Sequence, residues 1–502
     1  MKFLKKIFNR FVIISLLVLL QVAFFISFII ILEEKYLYLQ VATIIIGVLV
    51  LLAINCRNMH VEAKFAWSIL IILFPLLGII TYILFSKNIP TKKQKRILEN
   101  IKEQHKKIKN NNDIKIYIED KYHGQINYIL NATNKKGYSN NKTTFFESGE
   151  TFFEDLLNEL KKAKEYIFME YFIIKDDFMF NQILNILKVK IQEGLTIKIL
   201  YDDLGTINYL PHDFDKKLRD IGIDCVKFNP FIPIVSSIHN NRDHRKITII
   251  DGKIAYTGGI NIGDEYINKK QPFGKWKDTS IKIQGPAVDS FIDMFTTLFI
   301  YSSNKNMDIS KYKNKFISYN SYGIVVPFGD GPSPLYPDYI AENIFLNLIN
   351  QAEKELLITT PYLICDNNLI KAIKNAALRG VNVKLFTPHI PDKKIIFQIT
   401  RSNYKDLLKA GVKIFEYTPG FLHSKQILAD EKIGVVGTIN FDYRSLDHHY
   451  ECGVWFYNID CIKNIKDDFI KLEQVSTDMT NFKQNKILFL FCKSIELFHP
   501  LL

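Results

Sequence analysis

The sequence predicts an α/β protein of two similar halves, each built on a mixed β-sheet and facing the other, behind an N-terminal membrane segment. Three observations support this prediction. The chain has 502 residues, enough for about three units of the usual domain size. Long apolar runs dominate residues 1–86, and an alternating pattern of strands and helices occurs twice in the remainder.

Three apolar runs predict that residues 1–86 form a membrane anchor. Residues 11–32 and 36–55 are each long enough to cross a bilayer as a helix, and residues 65–85 form a third run. The third run contains Pro75 and Gly78, so it is expected to kink or to be re-entrant. We therefore expect a multi-pass protein of the cell membrane with two or three transmembrane helices. Basic residues flank several of the runs, and their distribution leaves open on which side of the membrane the rest of the chain lies.

The positive charge is concentrated at the N-terminal end of the chain. Of the net charge of +13, residues 1–113 carry +10. Positive charge beside apolar runs fits attraction to anionic lipid headgroups better than a nucleic-acid groove, and a general compositional bias toward lysine is the alternative. Residues 87–140 are accordingly expected to form a basic juxtamembrane linker. Six scattered cysteines without a Cys-x-x-Cys pattern argue against a disulfide framework and against a zinc site.

The pattern of strands and helices in residues 141–320 is repeated in residues 321–502. Each half shows buried strands separated by helices, followed by two further strands. The corresponding predicted strands are 166–174 and 356–364, 194–203 and 380–389, and 222–228 and 411–417. Duplicated halves of this kind commonly face each other with a site between them.

Each half also carries the same chemical groups at the same spacing. A lysine lies two residues after a histidine, an aspartate follows, and an asparagine comes after a glycine-containing turn. The first set is His244, Lys246, Asp251 and Asn261, and the second is His423, Lys425, Asp430 and Asn440. Because side chains alternate along a strand, the histidine and lysine of each set share a face and can converge on one anion. The aspartates come at strand ends, where they can hold either the following turn or the lysine.

These paired elements resemble the catalytic motifs of the phospholipase D superfamily. Residues 240–266, 273–288 and 358–366, the membrane segment 66–78 and the terminal residues 499–502 are similar to bacterial cardiolipin synthases within it. The resemblance implies two phospholipase D-like halves with mixed sheets. It also implies an enzyme that converts two molecules of phosphatidylglycerol to cardiolipin and glycerol.

The resemblance also assigns roles to the residues of the two sets. His244 is implied to be the nucleophile, so that a covalent phosphatidyl-histidine forms, and His423 the general acid that later activates the incoming alcohol. The lysines of both sets, with Asn261 and Asn440, are expected to hold the nonbridging oxygens of the phosphate. The two aspartates are counted with the catalytic set. We expect no cofactor and no metal ion, because the lysines can supply the positive charge.

Each catalytic histidine is expected to need a carboxylate on its other ring nitrogen, which fixes the tautomer. Asp278 and Glu451 are the candidates, because one follows each set in the chain. The neighbouring His448 and His449 are instead expected to be structural or exposed.

Other functions would use the same residues. A phospholipase D, or a phosphatidyltransferase with another alcohol acceptor, shares every catalytic group. A nuclease of the superfamily is disfavoured by the anchor and by the position of the charge, and a silent membrane scaffold by the two complete sets. The expected partners are therefore phosphatidylglycerol and anionic membrane lipid, not nucleic acid. The sequence leaves the oligomeric state open.

Overall fold

The structure is a computed structural model of the chain. It describes residues 37–496 except residues 58, 87–91, 108–117, 134, 233–236, 334, 337 and 338, and before residue 37 only residues 16, 19–24, 26, 27 and 31. Most of the first predicted apolar run and all of residues 499–502 lie outside the described residues.

The third apolar run is divided between two helices. The first three helices are α1 (Leu37–Asn55), α2 (Val61–Leu73) and α3 (Pro75–Phe85). Proline at the start of α3 has no N–H with which to continue α2, so the break falls at Phe74. A Cβ added at Gly78 would lie 2.6 Å from the Cα of Ile71, although residues seven apart in one helix are about 10 Å apart. The chain therefore folds back at Phe74 as a helical hairpin.

The two ends of this hairpin lie on the same side. Arg57, just before α2, donates hydrogen bonds from Nη1 to Tyr82 Oη (2.8 Å) and Ser86 Oγ (3.2 Å) at the end of α3. With 13 and 11 residues, α2 and α3 are each shorter than the ~20 residues that a bilayer requires. Across residues 37–496, as far as they are described, no helix meets the length and apolarity needed to cross a membrane. The predicted transmembrane helices are thus not supported by the described part of the chain.

The predicted linker contains a helix that packs on the fold. Helix α4 (Lys92–Lys107) is mostly polar, but Leu98 and Ile101 are buried. Ile101 joins the hydrophobic core beneath the first sheet, where α4 contacts the helix Val288–Ser303. The next helix, α5 (His123–Thr133), packs on the second half of the molecule. The linker is therefore in part an integral layer of the fold.

The first half contains a seven-stranded mixed sheet. Its elements are β1 (Lys142–Phe146), α6 (Gly149–Lys162), β2 (Tyr166–Tyr171), α7 (Phe178–Gln192), β3 (Thr196–Asp202), α8 (Asp203–Thr206), α9 (Phe214–Asp220), β4 (Asp224–Phe228), β5 (Lys246–Ile250), β6 (Ile254–Gly258), β7 (Lys275–Lys277), β8 (Ser280–Gln284) and α10 (Val288–Ser303). The strand order is β1-β8-β6-β5-β2-β3-β4, and β2, β3 and β4 are parallel. Both faces of β2 are buried, as a largely apolar strand requires.

The second half contains an eight-stranded mixed sheet. Its elements are β9 (Ile324–Asp330), α11 (Ile340–Gln351), β10 (Glu355–Thr359), β11 (Leu363–Ile364), α12 (Asn367–Leu378), β12 (Asn382–Pro388), α13 (Lys394–Ser402), α14 (Tyr404–Lys409), β13 (Lys413–Tyr417), β14 (Gly420–Leu422), β15 (Gln426–Ala429), β16 (Ile433–Gly437), β17 (Phe441–Asp442), β18 (Glu451–Tyr457), α15 (Ile462–Gln474), β19 (Ser476–Asp478) and α16 (Lys486–Glu496). The strand order is β19-β13-β12-β10-β15-β16-β18-β9.

The two sheets confirm the predicted α/β fold with two related halves. In each, three parallel strands are followed by an antiparallel pair, β5 and β6 in the first and β15 and β16 in the second. Apolar residues of both sheets pack with α10 in one hydrophobic core, so the sheets face each other. Two short parallel contacts join the halves, β7 with β14 and Asp243 with Tyr450. These contacts lie next to His423 and His244 in the chain, where they position the site.

Candidate active site

The two motif histidines occupy equivalent positions in the two halves. His244 lies two residues before the first residue of β5, and His423 lies three residues before the first residue of β15. The backbone N–H of His244 donates to Tyr450 O (2.9 Å), and that of His423 donates to Lys277 O (2.7 Å). Each histidine is therefore anchored by the backbone of the opposite half. Both side chains are buried, at 7% and 8% residue exposure.

Each histidine is also oriented by a carboxylate of the opposite half. His244 Nδ1 lies 2.8 Å from Glu451 Oε1, and His423 Nδ1 lies 2.6 Å from Asp278 Oδ2. Because an ionised carboxylate only accepts, Nδ1 carries the hydrogen and Nε2 is left for chemistry. The sequence pointed to these two carboxylates by their position after each set. It held no signal for the crossed pairing, which depends on how the halves meet.

The second oxygen of each carboxylate is held as well. Glu451 Oε2 accepts from the hydroxyl of Thr438, and Asp278 Oδ1 accepts from the N–H of Thr279 at 2.8 Å. Gly259 occupies the position in the first set that Thr438 occupies in the second. A Cβ at Gly259 would lie 2.0 Å from Asp278 Oδ1, so only glycine leaves room for that carboxylate.

The motif lysines are buried with the histidines. Lys246 Nζ donates to His244 O at 2.5 Å, and Lys425 Nζ donates to His423 O. Burial lowers the pKa of Lys246 to about 8 and that of Lys425 to about 7, although Glu451 and Asp278 act in the opposite direction. These lysines are thus held in a site that disfavours their own positive charge.

The histidines experience the same electrostatic environment. Burial, followed by the charge of Lys425, lowers the pKa of His423 to about 4. Burial and then Lys246, Lys425 and His423 lower the pKa of His244 well below its ordinary value. The charged groups of each set therefore lower the pKa of the histidine in the other set, across the boundary between the halves. Four basic groups at one place form a site that an anion would stabilise.

The two motif asparagines differ in what they contact. Asn261 Oδ1 accepts from the N–H of Ile173 (3.0 Å), and its Nδ2 donates to Tyr266 Oη (2.7 Å). These bonds use the oxygen and one of the two Nδ2 hydrogens, so the role of Asn261 in holding a phosphate oxygen stays a prediction. The side-chain Oδ1 of Asn440 is buried and accepts no hydrogen bond from the described residues. Because that oxygen is an acceptor, the group that Asn440 could offer to a phosphate oxygen is its Nδ2 donor.

The motif aspartates do not join the histidines. Asp251 accepts backbone N–H groups of residues 164–166 at 2.7–3.0 Å, ahead of β2. Asp430 does the same for residues 353–355 at 2.7–3.1 Å, ahead of β10. Each lies in a turn with a positive φ, 54° and 53°. Of the two roles the sequence left open, they hold the turn and not the lysine, which corrects their place in the catalytic set.

Aromatic and imidazole rings surround the histidines, and the sequence analysis missed them. The ring of His449 lies 5.4 Å from that of His244, and Phe172 lies 4.9 Å from His244 on another side. Trp276 and Tyr266 lie 5.3 and 5.7 Å from His423. Burial lowers the pKa of His449 to about 3, so its imidazole is neutral. The only sequence signal was its position two residues before Glu451.

Two α/β halves that bring duplicated His-x-Lys elements together define a protein of the phospholipase D superfamily. The family described as "Cardiolipin synthase, PLD-like domain" matches residues 156–274 and 345–473, and the family described as "Phospholipase_D-nuclease N-terminal" matches residues 42–87. The chain is 34% identical to a cardiolipin synthase of Clostridium perfringens, over 85% of this chain and 91% of that protein. It is 33% identical to cardiolipin synthase 2 of Bacillus cereus, over 86% and 83%. The chain belongs to the bacterial cardiolipin synthase family.

A solved structure shares the fold. Phosphatidylserine synthase of Haemophilus influenzae Rd KW20 matches with a TM-score of 0.59, over 75% of this chain and 99% of that protein. At 15% sequence identity the likeness concerns the arrangement of the two halves alone.

Proposed function

We propose that this chain is a phosphatidyltransferase that makes cardiolipin and glycerol from two molecules of phosphatidylglycerol. The observation that supports the proposal most directly is the crossed pair, in which His244 is held by Glu451 and His423 by Asp278. This arrangement leaves two Nε2 atoms for a single phosphodiester, one as nucleophile and one as acid. The cardiolipin synthases among the relatives agree with this reaction.

The first step forms a phosphatidyl-enzyme. Nε2 of His244 attacks phosphorus, and the bond from phosphorus to the oxygen of the headgroup glycerol breaks. His423 gives its Nε2 proton to that oxygen, so free glycerol leaves. His423 must carry this proton, yet its pKa is about 4 in the site as it stands. The negative phosphodiester raises that pKa on binding, so the substrate itself prepares the acid.

The second step transfers the phosphatidyl group. The hydroxyl of a second phosphatidylglycerol attacks the phosphorus on His244 while His423 takes the hydroxyl proton, and the bond from phosphorus to nitrogen breaks. Cardiolipin leaves, and both histidines return to their starting states. Lys246 and Lys425 hold the nonbridging oxygens throughout, with Asn440 as a further donor. Positive charge placed where negative charge develops is worth about 3 kcal/mol or more per donor.

We further propose that the N-terminal region attaches the enzyme to the cell membrane. The hairpin of α2 and α3 returns the chain to the side from which it came, since Arg57 contacts Ser86. The basic residues before α2 and those after α3 then lie on one side of a bilayer, as the distribution of positive charge favours. A chain lacking residues 1–86 should accordingly be lost from membranes washed with alkaline carbonate, whereas the full chain stays.

Product analysis tests the reaction. Purified protein in phosphatidylglycerol vesicles should form cardiolipin and glycerol in equal amounts, with a chelator present as well as without it. His244→Ala and His423→Ala should each remove this activity. His212→Ala, at an exposed position outside the site, is the matched control and should leave it intact.

Two results would contradict the proposal. Phosphatidic acid released without cardiolipin would make the chain a phospholipase. Cardiolipin formation that survives His244→Ala would remove the histidine from the chemistry.

A further inference from the structure

Helices α13 and α16 form an apolar patch on the outside of the second half. Ile395 of α13 and Ile487, Leu490 and Phe491 of α16 are all more than half exposed, up to 81% for Ile487. The opposite face of α16 is apolar too, and its Cys492 is buried on α13 with Leu488 and Ile495 alongside. This eleven-residue helix is apolar on its covered and on its open face, and within the part of the chain that the structure describes nothing packs on the open face.

The patch adjoins the hairpin of the anchor. His60, in the turn before α2, packs edge-on against Tyr443 at 5.9 Å between ring centroids. Its Nε2 donates a 3.0 Å hydrogen bond to Asp447 Oδ1. Tyr443 belongs to the same hydrophobic cluster as Cys492 of α16. Glu62 of α2 also accepts from the side chain of Asn367 at 2.9 Å. The covered face of α16 and the turn before the hairpin are thus linked through Tyr443, which places the open face of α16 on an element that is joined to the anchor.

The patch is bordered by positive charge, and one of the bordering lysines acts on the active site. Exposed lysines adjoin it in the sequence, and they are Lys393, Lys394, Lys483 and Lys486. Lys393, directly before α13, is close enough for its charge to lower the pKa of His244. Apolar side chains flanked by lysines are typical of helices that lie in the interface of anionic bilayers.

We propose that the α13–α16 patch rests in the membrane interface and brings the mouth of the active site to anionic phospholipid. This inference rests on the proposed function, because it names the surface from which the lipid substrate enters. The occupant is the lipid bilayer, since the patch is continuous with the anchor and carries charge opposite to that of phosphatidylglycerol. Ile487, Leu490 and Phe491 sit among acyl chains, and the lysines sit among headgroups.

Fluorescence quenching tests this contact without turnover. Leu490→Trp is introduced into the full chain, which is reconstituted in phosphatidylglycerol vesicles whose acyl chains carry bromine. After subtraction of the wild-type signal, the new tryptophan should emit at short wavelength and be quenched by bromine. Val189→Trp on α7, whose native side chain is 51% exposed on the first half, is the matched control and should emit as in water, unquenched.

Two outcomes would overturn the inference. Water-like, unquenched emission from Leu490→Trp would show that the patch faces solvent. Short-wavelength emission that bromine does not quench, and that depends on protein concentration, would show that a second copy of the chain covers it.

Kinetics provide an independent readout. Ile487→Asp should require about tenfold more phosphatidylglycerol in the bilayer for half-maximal rate, with the maximal rate kept, because a charge replaces an apolar anchor. Val189→Asp should change neither quantity, and equal behaviour of the two variants would contradict the proposal. Quenching of Leu490→Trp in an enzyme that forms no cardiolipin would refute the proposed reaction and leave the membrane contact standing.

Discussion

The crossed pairing of histidines and carboxylates predicts different defects for two matched substitutions, Asp278→Asn and Glu451→Gln. Each replaces a carboxylate by an amide of the same size. Both carboxylates are 0% exposed, and they lie 2.6 and 2.8 Å from their histidines. Loss of such a buried charge in a comparable hydrogen-bonded histidine lowers turnover about 10⁴-fold, which corresponds to about 5 kcal/mol of transition-state stabilisation. We expect cardiolipin synthesis to fall by about that factor in both variants.

The two defects should fall on different steps. In Glu451→Gln the amide oxygen accepts from Thr438 and the NH₂ group faces Nδ1 of His244, which moves the imidazole hydrogen to Nε2 and blocks attack. In Asp278→Asn it is His423 that loses its counter-charge and can no longer become an acid. A phosphatidyl ester of p-nitrophenol separates these effects, because its leaving group departs without a proton. Rapid mixing should show a burst of p-nitrophenol from Asp278→Asn and no burst from Glu451→Gln.

The histidine variants calibrate this assay. His423→Ala should keep the burst and His244→Ala should lose it. Asp278→Asn must then behave like His423→Ala, and Glu451→Gln like His244→Ala. If Asp278→Asn instead behaved like His244→Ala, each carboxylate would serve the histidine of its own half, and the crossed geometry would be refuted whichever histidine is the nucleophile.

Four further predictions follow from single contacts. Gly259→Ala should lower turnover by at least about 10²-fold, because the added Cβ would lie 2.0 Å from Asp278 Oδ1 and displace that carboxylate. Circular dichroism should show that the fold is kept. Asp251→Asn should cost about 2 kcal/mol of unfolding free energy and about 2 °C in melting temperature, with turnover per folded molecule unchanged, since it loses its charged bonds to the backbone. Sulfate binding should take up about 1.4 protons in calorimetry near pH 8, because an anion raises the pKa of Lys425 from about 7 and that of Lys246 from about 8, and the uptake should fall by close to one proton in Lys425→Met. Burial lowers the pKa of His60, but surrounding carboxylates raise it overall from 6.5 to about 9. The protonated imidazole therefore stabilises the fold fully below pH 6.5, and this stabilisation is lost as the pH rises through about 9. The difference in melting temperature between wild type and His60→Gln should shrink between these two pH values.

Much of the catalytic set could be predicted from the sequence, because the features concerned are local. In extended chain a lysine two residues after a histidine lies on the same face as it, and the structure, which places both histidines just before β5 and β15, buries each with its lysine. The duplication of this pattern at equal spacing indicated two related halves before any contact between them was known. The turn-holding role of Asp251 was likewise one of the alternatives at hand, since its strand end lies next to it in the chain.

The remaining assignments depended on contacts between distant parts of the chain. Asn261 was predicted as a phosphate ligand from its place in the motif, and only packing decides that Tyr266 and the backbone of Ile173 also contact its amide. His449 looked incidental, yet the approach of the two halves places its ring 5.4 Å from His244. The apolar run around Pro75 was compatible with a kink or a reversal, and the packing of Gly78 on Ile71 decided for the reversal.

By itself, then, the sequence determined the two duplicated sets of candidate catalytic groups and the fold class that carries them, because these follow from short-range periodicity and spacing. The tertiary structure alone decided which carboxylate orients which histidine. Asp278 and His423 are 145 residues apart, and Glu451 and His244 are 207 apart. Contacts at such separations form only when two folded sheets pack face to face, and no local pattern along the chain encodes which of two equivalent partners each histidine meets.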